Sequence, residues 1–237
     1  METQQKVVIV TGASQGIGAG VVERFRKEGF AVVATSRSIT PSEDPNMVTV
    51  AGDISDPETA KRLVATAIEH FGHIDTLVNN AGIFDAKPFT EWSVEEFDRA
   101  LAVNIGGFFH VSQAAIAQML EQGNGGHVVN ITTALVDQPD ARVPAALASI
   151  TKGGLNSVTK GLALEYASRS IRVNAVSPGL IKTPMHPEST HETYASMHPI
   201  GRMGEISEIA DAILFLDSAK FVTGEILHVD GGQNAGH

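Results

Sequence analysis

Residues 6–18 read KVVIVTGASQGIG. Val7, Val8, Ile9 and Val10 form an unbroken apolar run, the pattern of a central strand covered on both faces. Thr11 and Gly12 close the run, and Gly16 and Gly18 follow with the small residues Ala13 and Ser14 between. Glycines let a backbone turn sharply and approach a ligand where a Cβ would clash. A helix is expected to open near Ile17. Its first N–H groups are unpaired and its dipole is positive there, so the strand–turn–helix unit suits a pyrophosphate.

Composition narrows the field. The chain has 237 residues, 43% of them hydrophobic and 19% charged, enough for a packed α/β core. The net charge of −10 argues against a nucleic-acid surface. Without cysteine there is no thiolate nucleophile and no thiolate metal site, and no metal is expected. The opening METQQK lacks the apolar core of a signal peptide, and no run approaches ~18 consecutive apolar residues. The expectation is a cytoplasmic protein without a membrane segment. Strands are expected at 31–35, 47–51, 74–78, 126–132, 171–177 and 226–229, alternating with amphipathic helices. That alternation gives one doubly wound α/β domain over 1–237.

The spacing T-G-x-x-x-G-x-G at Thr11–Gly18 resembles the short-chain dehydrogenase/reductase family, and within it the 3-oxoacyl-carrier-protein reductase-like members. Asn79-Asn80-Ala81-Gly82 and Pro178-Gly179-Leu180-Ile181-Lys182-Thr183 are two further matches, and together they extend over nearly the whole chain. The resemblance implies a Rossmann fold with about seven parallel strands and a nicotinamide cofactor. Its cofactor residues would be Gly12, Ser14, Gln15, Gly16, Ile17, Gly18, Asn80, Ala81 and Gly82. Asp53 would meet the adenine amino group, with Ile54 beside the ring. Pro178, Gly179, Ile181 and Thr183 would hold the carboxamide end. Where NAD users of the family carry Asp after the second strand, this chain has Ser36, followed by Arg37. A hydroxyl and a guanidinium suit a 2′-phosphate, so NADP(H) is favoured over NAD(H). Gln15 runs against this, since many NADP users carry a basic residue there.

The same resemblance assigns a proton relay to Asn104, Thr133 and Lys152, with Thr133 where the family usually has serine. It then breaks. The Tyr-x-x-x-Lys pair becomes Ala148-Ser149-Ile150-Thr151-Lys152, and no tyrosine lies between Phe109 and Tyr166. An alanine has no proton to give. Asp137, Ser149, His186, Tyr194 or a water on Lys152 are candidate replacements, Asp137, His186 and Tyr194 being placed toward substrate. Alternatively the substrate needs no acid, as with an iminium ion, or the chain is a cofactor-binding module without turnover. Residues 184–199 are expected to form a mobile lid, with Met185, Tyr194 and Met197 as apolar lining. Its His186, His191 and His198 are surface histidines by default, as are His70 and His73. Trp92 is expected to pack at a helix entrance. Relatives also imply a homotetramer or homodimer acting on a small-molecule substrate.

Overall fold

The computed structural model describes residues 4–236. Seven parallel strands form one sheet in the order β3-β2-β1-β4-β5-β6-β7. They are β1 (Val7–Thr11), β2 (Ala31–Ser36), β3 (Met47–Ala51), β4 (Thr76–Asn79), β5 (Gly126–Ile131), β6 (Ile171–Pro178) and β7 (Ile226–Val229). Every residue of β1, β4 and β6 is buried, whereas the edge strands β3 and β7 are only half-buried. Unbroken apolar runs therefore go to the middle of the sheet, as burial on both faces demands.

Helices cover both faces. One face packs α1 (Gly16–Lys27) and α7 (Ile206–Ser218) through Val21, Phe25, Ile209 and Ile213. The other packs α2 (Pro57–Phe71) and α4 (Gly107–Gln122) through Leu63, Ala67, Val111, Ala115 and Met119. Local signals agree with these elements. Asp56 caps α2 through Glu58 N with Pro57 in the first turn, and Ser93 and Glu96 close a capping box on α3 (Val94–Leu101). The chain order reverses between β1 and β4, which opens a crevice beyond their carboxyl ends.

Two expectations change. Strand β4 starts at Thr76 because the Ile74 N–H and C=O are taken by the Gln122 side-chain amide, both at 2.9 Å. His73 is buried rather than solvent-facing: its Nε2 lies 3.0 Å from Asp75 Oδ2 and its Nδ1 3.1 Å from Gln4 Nε2. The helical run 94–122 is long and apolar enough, by length and composition, to cross a membrane. Here its apolar residues Val111, Ala115, Ile116 and Met119 are core contacts with the sheet layer. Between α3 and α4 the run loosens into one π turn at Ala102–Gly106, which holds the buried Asn104.

Candidate active site

A cleft of about 430 Å³ runs along the carboxyl ends of the strands. Its middle is the glycine turn. Gly12 has φ +68°, and a Cβ there would come within 2.8 Å of Asn80 Nδ2 and 2.9 Å of Ala81 Cα. The closeness comes from a polar tie between β1 and β4. Asn80 Nδ2 donates to Thr11 O at 2.9 Å, and Thr11 Oγ1 accepts from the N–H groups of Asn80 and Ala81, both at 3.0 Å. Asn79 reaches the other way, donating to Ser112 Oγ and Asn130 Oδ1. The start of α1 carries no side-chain cap on Gln15 and no acid in its first turn. Its N–H groups face the cleft lined by Ser14, Gln15, Gly16 and Ile17, an arrangement that accepts a diphosphate.

One end of the cleft is lined by Ser36, Arg37, Asp53, Ile54, Arg99 and Val103. Asp53 accepts from the Ser55 N–H at 2.9 Å and the Ser55 hydroxyl at 2.7 Å. Those bonds, with smaller contributions from Arg37 and Arg99, hold its carboxyl below the usual carboxylate range. Arg37 and Arg99 thus lie within electrostatic reach of one carboxylate, and among the described residues neither has a hydrogen-bond partner. Arg99 escaped the sequence reading. Its one legible sign was the four-residue step to Val103, which places both on the same helix face.

The other end gathers Ile131, Thr133, Lys152, Pro178, Gly179, Ile181, Thr183 and His186. Lys152 Nζ donates to Ile131 O at 2.8 Å. The side chain keeps some exposed surface, but the amine lies deep among surrounding atoms, and that desolvation lowers its pKa to about 8. One carbonyl satisfies one of its three N–H donors. A Cβ on Gly82 would sit 3.1 Å from this Nζ and 3.2 Å from Asn104 Oδ1, so a side chain there would crowd the amine and require it to shift by a few tenths of an ångström. Asn104 accepts from Ile83 N at 2.8 Å and donates to Ile83 O at 3.0 Å and to Thr151 Oγ1 at 3.2 Å. Its side chain is committed to tying the π turn to the loop after β4. The Thr133 hydroxyl accepts weakly from Leu135 N at 3.4 Å and lines the cleft.

Other candidates fall elsewhere. Asp137 does not line the cleft; its Oδ2 takes His228 Nε2 at 3.1 Å and Asn156 Nδ2 at 3.3 Å. Tyr194 is also outside the lining, its ring edge-on to His186 at 5.3 Å. The Ser149 hydroxyl donates to Ala145 O within its own helix, α5 (Ala146–Tyr166). The segment 184–199 holds a short helical turn at Glu188–Thr190 and α6 (His191–Ala195). His198 is not a surface residue. Its Nε2 accepts from Leu180 N at 3.0 Å and its Nδ1–H donates to Tyr194 O at 3.0 Å, pinning this segment against the Pro178-Gly179 turn. Burial lowers its pKa, and the accepted N–H keeps the ring neutral. Met197 is buried away from the cleft, while Met185 lines it.

Ala148 is buried in an apolar cluster with Leu135 and Ala145, covered by Phe84 and Val143. Behind it lies a cavity of about 60 Å³, bounded by Thr151, Asn104 and Trp92. The Trp92 Nε1 is buried there without a partner among the described residues. The ring itself packs beneath Lys87 Nζ at 4.7 Å, at the entrance to α3.

Comparison with known proteins agrees with this geometry. Residues 12–234 match a family model described as enoyl-(acyl carrier protein) reductase. The 3-oxoacyl-(acyl-carrier-protein) reductase of Thermotoga maritima is 35% identical over 98% of this chain and 99% of its own. The NADP-bound structure of ElxO superposes with a TM-score of 0.90 at 30% identity, covering 98% of this chain and 100% of that one. The 3-ketoacyl-(acyl-carrier-protein) reductase of Brucella melitensis, complexed with NADH, gives a TM-score of 0.88 at 32% identity with the same coverage. Fold and site define the class: nicotinamide-dependent oxidoreductases on a doubly wound sheet. The chain belongs to the short-chain dehydrogenase/reductase family.

Proposed function

We propose that this protein binds NADP(H) and transfers hydride between it and a small carbonyl or alcohol, or the corresponding imine or amine. The observation that carries this is Lys152. A partly desolvated amine beside a side-chain-free glycine, with N–H donors left over, is costly for stability alone and suits ribose hydroxyls. The glycine turn and the open start of α1 fit a diphosphate, and Asp53 and Ile54 fit adenine. Ser36 and the unpaired Arg37 fit a 2′-phosphate.

When bound, the cofactor supplies the hydride. Lys152 orients the nicotinamide ribose. The Pro178-Gly179 turn and the Ile181 backbone hold the carboxamide, and the Thr133 hydroxyl takes the substrate oxygen. Ala148 stands where the family pattern has its tyrosine, and its apolar cover excludes a proton donor from that position. The same closed cluster favours a second reading, a cofactor-binding protein without turnover.

Oligomerisation belongs to this proposal too. Phe109 on α4 and Ile150 and Leu164 on α5 are exposed apolar side chains, as the contacts of a homotetramer or homodimer require. Sedimentation of the purified protein checks that part.

The deciding experiment titrates the protein with NADPH and NADH by fluorescence. NADPH oxidation is then followed against ketones, diketones, quinones and cyclic iminium ions. Tight NADPH binding with turnover supports the reductase. Tight binding without turnover on any class moves the assignment to the binding protein. Tighter NADH binding refutes the role given to Ser36 and Arg37.

A further inference from the structure

Among the described residues His186 is the one imidazole lining the cleft, and it is held on four sides. Its backbone N–H donates to Thr183 O at 2.9 Å, and its carbonyl accepts from His191 Nε2 at 3.0 Å. Its ring meets Tyr194 edge-on at an interplanar angle of 82°. Most telling, Nδ1 lies 2.7 Å from Ile181 O. A carbonyl only accepts, so Nδ1 carries the hydrogen and Nε2 keeps the lone pair in the neutral ring. Fixing one nitrogen on a carbonyl frees the other for a single task, and it is the arrangement that orients a general base. Nε2 has no hydrogen-bond partner among the described residues.

Rival donors at this end of the cleft are weaker. The Thr133 hydroxyl is an ordinary alcohol, the remaining Lys152 donors are assigned above to the nicotinamide ribose, and Asp137 and Tyr194 are outside the lining. We infer that His186 is the catalytic acid–base residue of this site, taking over the role but not the position that the family pattern gives to tyrosine, and acting through Nε2. The inference rests on the oxidoreductase reading above. In reduction the substrate carbon would gain a C–H bond as the C–H bond of the dihydronicotinamide breaks and the cofactor is oxidised, and the carbonyl π pair would move to oxygen. The oxygen then forms an O–H bond as the Nε2–H bond of the imidazolium breaks. A neutral ring remains, still donating through Nδ1 to Ile181 O, and solvent returns its proton. In oxidation Nε2 takes the alcohol proton.

Two variants separate this role from anchoring the segment. His186→Asn keeps an N–H for Ile181 O but transfers no proton; His186→Ala removes both. On whichever substrate the wild type reduces, both are expected to lose about 10²–10⁴-fold in kcat. NADPH affinity should stay unchanged, which also shows that the variants fold. Added imidazole should restore part of the turnover of His186→Ala. Independently of activity, ¹⁵N-histidine spectra of the unliganded protein should show the Nδ1–H tautomer for the resonance missing in His186→Asn. Wild-type kcat in His186→Asn overturns the inference and leaves the oxidoreductase intact, as does an Nε2–H tautomer. A wild type that binds NADPH but turns over nothing overturns both.

Discussion

The two ends of the same sheet treat charge in opposite ways. At the amino ends of the strands, Asp217 is buried and fully engaged: Lys6 Nζ lies at 2.9 Å and Thr76 Oγ1 at 2.6 Å. His127 Nδ1 approaches it at 3.8 Å, an electrostatic contact rather than a hydrogen bond. Arg172 spends its guanidinium on the carbonyls of Leu216, Asp217, Ala219 and Val222, where α7 ends. At the carboxyl ends, the Arg37 and Arg99 side chains have no hydrogen-bond partner among the described residues, Lys152 has one carbonyl, and one nitrogen of His186 is bare. Closed networks position strands. Groups left open await a ligand that completes them. The contrast separates structural from functional charge without reference to any relative.

The comparison breaks if substitutions at the two ends have the same kind of effect. Lys152→Met should cost the largest amount, about 10²-fold in turnover through a misplaced ribose, with thermal stability unchanged or raised because a desolvated amine is gone. Asp217→Ala should do the reverse. Burial alone pushes this carboxyl up, but the electrostatic contact of His127 and the bonds from Thr76 and Lys6 outweigh it and leave it well below the carboxylate range. Removing it should cost about 3 kcal/mol, the low end for a buried charge network because Lys6 keeps contact with water. A fall of roughly 10 °C in Tm follows, with NADPH affinity unchanged.

His127 sharpens the picture through pH. Burial lowers its pKa to about 4, and Asn174 Nδ2 occupies its Nε2 at 3.1 Å. The unfolded ring takes a proton near 6.5 and the folded ring only near 4. The stability this neutral histidine contributes is therefore complete above pH 6.5 and lost as pH falls toward 4, by roughly 3 kcal/mol. Urea unfolding at pH 7 and pH 4 measures the loss, and His127→Asn should flatten it. The smallest effects belong to the unpaired arginines. Arg37→Ala should weaken NADPH about 10-fold, or ~1.4 kcal/mol, and leave NADH unchanged. Arg99→Ala should weaken both by a similar small factor, since Arg99 sits by Asp53, Ile54 and Val103 on the adenine side. Titration of each variant with both cofactors tells the two apart.

Sequence patterns gave away the sheet and the glycine turn because both depend on short-range order. Four consecutive β-branched residues with a glycine turn after them have few other solutions, and the Asp56-Pro57 and Ser93/Glu96 caps act within four residues. The site was legible only as far as its residues sit on such patterns. The burial of His73 and His198 depends on partners two residues to 69 positions away, so neither ring announced itself. Asp137 reads as a polar loop residue near the site, but its partner His228 lies on the last strand. The closed cover over Ala148 also comes from a separate loop, through Phe84.

The π turn at Ala102–Gly106 bears on how this chain tolerates the loss of a codon. It holds one residue more than a regular helix needs, and Asn104 fastens that turn to Ile83. A single-residue deletion there would restore a regular helix and leave the faces before and after it in register, because the wide turn already absorbs the extra residue. Arg99 would stay on the cleft wall, but Asn104 would lose the wide turn from which it reaches both backbone groups of Ile83. A shortened allele would then fold around the same sheet with the cleft wall in place and the loop after β4 untied.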